Sequence, residues 1–211
     1  ESLGSKHIAV GNKIDQSELL PWPEKDEQGN DLHDPHIWNS TKIWQQVVTL
    51  MAEHLKTINP GKSADYDKNA EAYKKQIQET DTWAKEQTEK IPADRRVLVT
   101  GHDAFNYFGR AYNIEIHATD FVSSDADLSA DEISELADLI ATHKLPVIFQ
   151  DNLKNPQAIQ SLKEAVAAKG WTVEVSDKEL YADSLGSESG VDTYLGVMKH
   201  NVETIVGALS S

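Results

Sequence analysis

From Val97 onward the apolar positions fall into a regular alternation. Short runs of β-formers at 97–100, 114–118, 146–150 and 171–175 separate stretches with helical spacing at about 103–112, 129–143, 156–169 and 192–209. Ser129 and Glu132 frame a capping box ahead of an apolar stripe. Asn155-Pro156 suits the start of the next helix and Lys169-Gly170 its end. Strands alternating with helices in this way predict a mostly parallel sheet covered on both faces, so this half reads as a self-sufficient α/β lobe.

The N-terminal part has a different pattern. Residues 6–10 read as a short strand, and the stretch to about residue 35 reads as irregular, broken by Pro21, Pro23 and Gly29. Ile43, Val47, Leu50, His54 and Ile58 then share one helical face, with Asn39 or Ser40 as cap and Asn59-Pro60-Gly61 as stop. A longer helix is expected from about 64 to 90, with a stripe of Tyr66, Ala70, Tyr73, Ile77 and Ala84 flanked by Trp83, and Ile91-Pro92 ends it. At roughly 1.5 Å per residue that helix spans about 40 Å, enough to pass from one lobe to another. One weak strand, a long loop and one helix are too little to close a lobe. The expected organisation is a partial N-terminal lobe over 1–63, a linking helix over 64–91 and a C-terminal α/β lobe over 92–211.

Composition narrows the chemistry. With 39% hydrophobic and 26% charged residues, the 211-residue chain is of ordinary globular character, and no apolar run is long enough to cross a bilayer. The chain starts at Glu1 with no visible signal peptide, as expected of a processed or excised product. A net charge of −15 argues against a nucleic-acid partner, which requires a basic footprint. There are no cysteines, so disulfides and thiolate metal sites are excluded. Any metal must be held by imidazole nitrogen and carboxylate oxygen, which points to zinc, manganese or a similar ion.

Eight histidines, at 7, 33, 36, 54, 102, 117, 143 and 200, are the candidates. His102 stands where the strand 97–100 hands over to a helix, at the carboxyl edge where open α/β sheets bind ligands. From its position it fits a metal ligand, a general base or a backbone-held cap. Asp151 ends the third strand and Asp183 lies in the loop after the fourth, so both fall on the same predicted edge as His102. Asp103 reads as a cap for its helix. His36 sits at a loop-to-helix junction, with His33 as a rival three residues earlier. His54, His143 and His200 fall within helices and His7 and His117 within strands, where structural roles are expected. No Gly-rich phosphate loop, Gly-x-Ser-x-Gly elbow or His-Glu-x-x-His helix is present, and no Ser sits at a strained strand-to-helix turn.

Four segments in order, Asp34-Pro35-His36-Ile37-Trp38, Gly101-His102-Asp103-Ala104-Phe105, Asp183-Ser184-Leu185-Gly186 and Tyr194 to Asn201, carry a resemblance over nearly the whole chain. The sequence resembles the extracytoplasmic solute-binding proteins of zinc and manganese ABC transporters. The resemblance implies two (β/α) lobes joined by one long rigid helix, and a metal held by four side chains, two from each lobe. It places His36 as the second N-lobe ligand, His102 as the first C-lobe ligand and Asp183 as the last. The family's first ligand, a His in an earlier segment, lies upstream of anything in this sequence, as do its opening strands and signal peptide. A fragment or truncated form is therefore expected, with the alternative that His33, His7, water or a second molecule completes the site.

The implied cargo is Zn²⁺ or Mn²⁺. Imidazole-rich ligation leans to zinc, as does His102 where manganese-leaning members often carry Glu, although no long His-rich loop is evident. The implied partner is an ABC transporter permease, with membrane attachment through an absent N-terminus and no enzymatic activity. Two alternatives stand beside this: a metal-dependent hydrolase using His36, His102 and Asp183 with Asp103 or Asp151 as base, and a surface adhesin. Imidazole ligation also predicts that metal affinity falls as pH drops through roughly 6.5.

Overall fold

A computed structural model describes residues 7–119, 129–149 and 156–210. The chain separates into two units, Glu1–Thr82 and Trp83–Ser211, and the division falls inside its longest helix.

In the first unit the strand expected over 6–10 does not form among its described residues, 7–10. Residues 7–9 lie outside any regular element, and Ala9 C=O accepts from Asn12 N–H at 3.2 Å as a 3₁₀ turn forms over Val10–Lys13. A hairpin replaces the irregular stretch: strand β1 (Pro21–Lys25) runs antiparallel to β2 (Asp31–His33), pairing Pro21 with His33 and Lys25 with Asp31. Asp26 organises the turn, its Oδ1 accepting from the N–H groups of Gln28 and Asn30, while Gly29 takes φ +82°. The two prolines sit at alternate, exposed positions of β1, where a missing N–H is tolerated in a two-stranded ribbon.

Helix α1 (Thr41–Ile58) follows, with Ser40 Oγ accepting from Ile43 N–H as its N-cap. Ile43, Val47 and Ala52 are buried, but the expected stripe does not stay covered to its end, because Ile58 is 42% exposed, beside Met51 at 48% and Leu55 at 39%. Helix α2 (Ser63–Thr88) begins one residue before the expected position and stops before Ile91-Pro92. Within the first unit it presents buried Ile77, and its Asp81 accepts from Thr41 Oγ1 at 2.7 Å in a buried hydrogen bond.

The second unit is built on two parallel strand pairs. Strand β3 (Val97–Thr100) pairs with β4 (Glu115–Ala118), and β5 (Val147–Ile148) with β6 (Glu174–Val175). A parallel bridge between Thr100 and Phe149 joins the pairs, giving the order β4-β3-β5-β6. Every residue of β3 is buried, and its side chains alternate between two apolar layers. Leu98 packs with Phe105, Phe108 and Phe149 against Met198, Val202 and Ile205, whereas Val97 and Val99 pack with Leu136, Ile140, Leu162 and Val166. Each buried Phe contributes about 1.5–3 kcal/mol of transfer free energy.

Helix α3 (Asn106–Tyr112) starts three residues later than expected. The expected cap does not form: Phe105 occupies the N-cap without a side-chain bond, and Asp103 Oδ1 accepts instead from Asn106 Nδ2. Gly109 lets α3 lie directly on the following strand, since a Cβ there would collide with the Ile116 side chain and the Ile114 carbonyl. Helix α4 (Ala130–His143) carries the expected capping box of Ser129 and Glu132, and α5 (Pro156–Ala168) and α6 (Tyr194–Leu209) complete the unit. The expected Asn155-Pro156 helix start lies in part outside the described residues. Among the described residues, no helix is long and apolar enough to cross a membrane.

Candidate metal centre

His102 stands two residues beyond the last residue of β3, at the carboxyl end of the central strand. Its backbone is fixed locally, because its C=O accepts both from Thr100 Oγ1 at 2.8 Å and from Ala104 N–H at 3.0 Å. The residue is buried, and its Nε2 lies 2.9 Å from Asp183 Oδ2. Asp183 comes from the loop after β6, and its side chain keeps 27% of its surface open to solvent. The fold thus brings together two side chains 81 residues apart, one imidazole and one carboxylate, with the carboxylate partly accessible.

A cation held between the two would gain a nitrogen and an oxygen ligand at once. Zinc bonds of roughly 2.0–2.2 Å place two tetrahedral ligand atoms about 3.3 Å apart, so this pair needs to open by only a few tenths of an ångström.

In the first unit, His36 is also buried beside an acidic partner. It is 2% exposed and Asp34 1% exposed. Asp34 Oδ1 accepts from His36 N–H at 2.9 Å and meets His36 Nδ1 at 2.7 Å. A carboxylate at Nδ1 favours the tautomer that donates from Nδ1, in which Nε2 is the nitrogen able to ligate a metal. Trp22 and Trp38 hold the ring, their centroids 5.7 and 5.4 Å away. Sequence reasoning quoted Asp34 only as part of the segment around His36, with no role of its own, and missed Trp22. An Asp two positions ahead of a His, with Pro between, was the available signal for the first, and the second had none.

The remaining candidates have other positions. His33 and His7 are exposed, and His7 is not in a strand. His54 lies in α1. His117 lies in β4 and pairs with Glu115 at 2.8 Å. His143 Nδ1 meets Asp94 C=O, and His200 Nε2 meets Glu179 C=O, both structural contacts. Asp151 lies outside the described residues.

Residues 2–208 match the family model of the periplasmic zinc-uptake complex component A, ZnuA. The chain belongs to that family. It is 36% identical to the zinc-binding protein TroA of Treponema pallidum over 204 residues, covering 96% of this chain and 64% of TroA. It is 32% identical to the manganese-binding lipoprotein MntA of Bacillus subtilis over 202 residues, covering 95% of this chain and 64% of MntA. The chain therefore spans about 64% of the length of these curated relatives. The solved structure of periplasmic zinc-binding TroA superposes with a TM-score of 0.86 over 97% of this chain and 72% of that one, at 36% identity. Fe(III)-bound YtgA of Chlamydia trachomatis superposes at 0.83 and 26% identity, over 99% of this chain and 73% of that one. The α/β class and the resemblance to metal-transporter solute-binding proteins are thus borne out. ZnuA is a family of uptake components rather than of enzymes.

Proposed function

We propose that this chain captures Zn²⁺ or Mn²⁺ on the extracytoplasmic side and hands it to the permease of an ABC transporter, binding without turnover. The observation that carries this reading is the buried His102 Nε2 set 2.9 Å from a partly open Asp183 carboxylate, in a chain of the ZnuA family. His36 is the third ligand in this reading, supported by its burial and by the acidic Asp34 held 2.7 Å from its Nδ1. Two imidazoles and one carboxylate favour zinc by ligand type, with manganese admitted by availability. Residues 1–63 then belong to an N-terminal lobe, 64–91 form the linking helix and 92–211 the C-terminal lobe.

The test is metal binding by the purified chain, stripped with chelator and titrated with Zn²⁺ and with Mn²⁺ against a competing indicator. One saturable site per chain is expected, lost in His102→Ala and in Asp183→Ala and weakened in His36→Ala. Binding that is absent in the wild-type chain, or unchanged in all three variants, would overturn the reading.

A further inference from the structure

A ligand carried on a loop needs something to fix it. Asp183 is preceded by Leu180, Tyr181 and Ala182, of which Leu180 and Ala182 are buried in the apolar layer of α6. Such burial sets the depth of the segment but resists sliding along its own direction only weakly, because apolar packing is non-directional. Directional contacts come from the middle of α6. Asn201 is 1% exposed, among Met198, Val202 and Ile205 of the apolar layer. Its Oδ1 accepts from Tyr181 N–H at 3.0 Å and its Nδ2 donates to Tyr181 C=O at 2.9 Å. One side chain thus takes both backbone groups of the residue two positions ahead of Asp183, in the manner of a hydrogen-bonded strand pair. The backbone donor and acceptor also fix which way the amide points.

Neighbouring contacts close the same segment. His200 Nε2 bonds Glu179 C=O at 2.8 Å, and its ring meets the Tyr181 ring edge-on at 5.3 Å. Beyond the ligand, Gly186 N–H donates to Val191 C=O at 2.7 Å, and a Cβ on Gly186 would stand 3.0 Å from the Tyr181 ring. A buried Asn in a helix interior is a poor choice for helix propensity and for apolar packing, and the clamp accounts for it.

We infer that Asn201 is a positioning residue for metal capture: from α6 it clamps the main chain of Tyr181 and so sets where the Asp183 carboxylate meets His102 Nε2. The inference rests on the proposed role of Asp183 as a ligand. Metal bonds near 2.0–2.2 Å do not tolerate a carboxylate misplaced by an ångström, so the clamp bears on affinity and not only on stability.

The experiment measures Zn²⁺ affinity of the full chain by chelator competition, together with the visible spectrum of the Co²⁺-loaded protein. The variants are Asn201→Leu, close in shape but unable to bond, and Asn201→Asp, which keeps the acceptor and loses the donor, each also made in an Asp183→Ala background. Asn201→Leu is expected to weaken Zn²⁺ binding about 10–100-fold and to change the Co²⁺ bands towards those of Asp183→Ala. Once Asp183 is gone the same substitution is expected to have almost no further effect, since the two act on one ligand. If wild type and Asp183→Ala bind zinc equally, the ligand role itself is wrong and the inference falls with it. If Asp183→Ala loses affinity while Asn201→Leu binds like wild type, or costs as much with Asp183 as without it, the inference alone is overturned. Should Asn201→Leu not fold, Asn201→Asp carries the same comparison. Should neither fold, hydrogen exchange on the unmodified chain decides: the Tyr181 amide must exchange far more slowly than those of Ser187 and Glu188, and exchange at their rate would overturn the clamp.

Discussion

The acidic partner of His36 shows how much a single residue can settle. An imidazole free in solution divides its proton between two nitrogens, and Asp34, 1% exposed, removes that choice at His36 by taking Nδ1 at 2.7 Å. Asp34→Asn keeps the shape and removes the charge, so it is expected to weaken zinc binding about 10–100-fold while leaving the fold unchanged by circular dichroism. Affinity equal to wild type would show that the Asp34 contact is structural only. At this scale the sequence was informative about which residue types matter and silent about what touches them. His36, His102 and Asp183 are legible from the short motifs around them, whereas Trp22 against His36 depends on a hairpin that places them together. The Asn201 clamp is equally hidden, because its partner Tyr181 lies 20 residues away in sequence.

Among the elements, helix starts that carry their own chemistry are the legible ones. In α4 the Ser129 hydroxyl, and then its backbone N–H, hold the Glu132 carboxyl below the ordinary glutamate range. A carboxyl whose pKa is lowered by folding stabilises the fold above the ordinary glutamate value, and that contribution is lost as pH falls through the lowered one. Ser129→Ala is therefore expected to lower Tm by about 2–4 °C at neutral pH, with the deficit shrinking in acid, as thermal unfolding at several pH values would show. A deficit constant down to acid pH would separate the cap from the carboxylate. Other boundaries were less readable. Pro21 and Pro23 read as breakers, yet they alternate with half-buried Trp22 and Glu24 on an exposed edge that tolerates them. The late start of α3 reflects His102 and Asp103, whose backbone and side chain are engaged in local bonds rather than in a first helical turn.

At the scale of the molecule the two units differ in what holds them. The two apolar layers around β3 lie wholly in the second unit. The first unit buries Ile14, Ile37, Ile43, Val47, Ala52 and Ile77, and leaves Met51, Leu55 and Ile58 of α1 exposed. Fewer buried apolar contacts mean cheaper local opening. Amides in the last two turns of α1 are thus expected to exchange with solvent well before those of β3 when followed by mass spectrometry. Equal protection in both would show that α1 has stabilising contacts beyond those of its own unit.

The alternation of β-former runs and helical stripes determined the α/β character of residues 97–209, because each buried strand and amphipathic helix signals its own environment through its side-chain period. Composition narrowed the available donor atoms, since a chain without cysteine has no thiolate to offer a metal. Only the tertiary structure decided that His102 and Asp183 meet at 2.9 Å, that Trp22 packs on the His36 ring, and that Asn201 reaches back to Tyr181. Such contacts are properties of approach distances between segments, and local sequence periodicity carries no information about them.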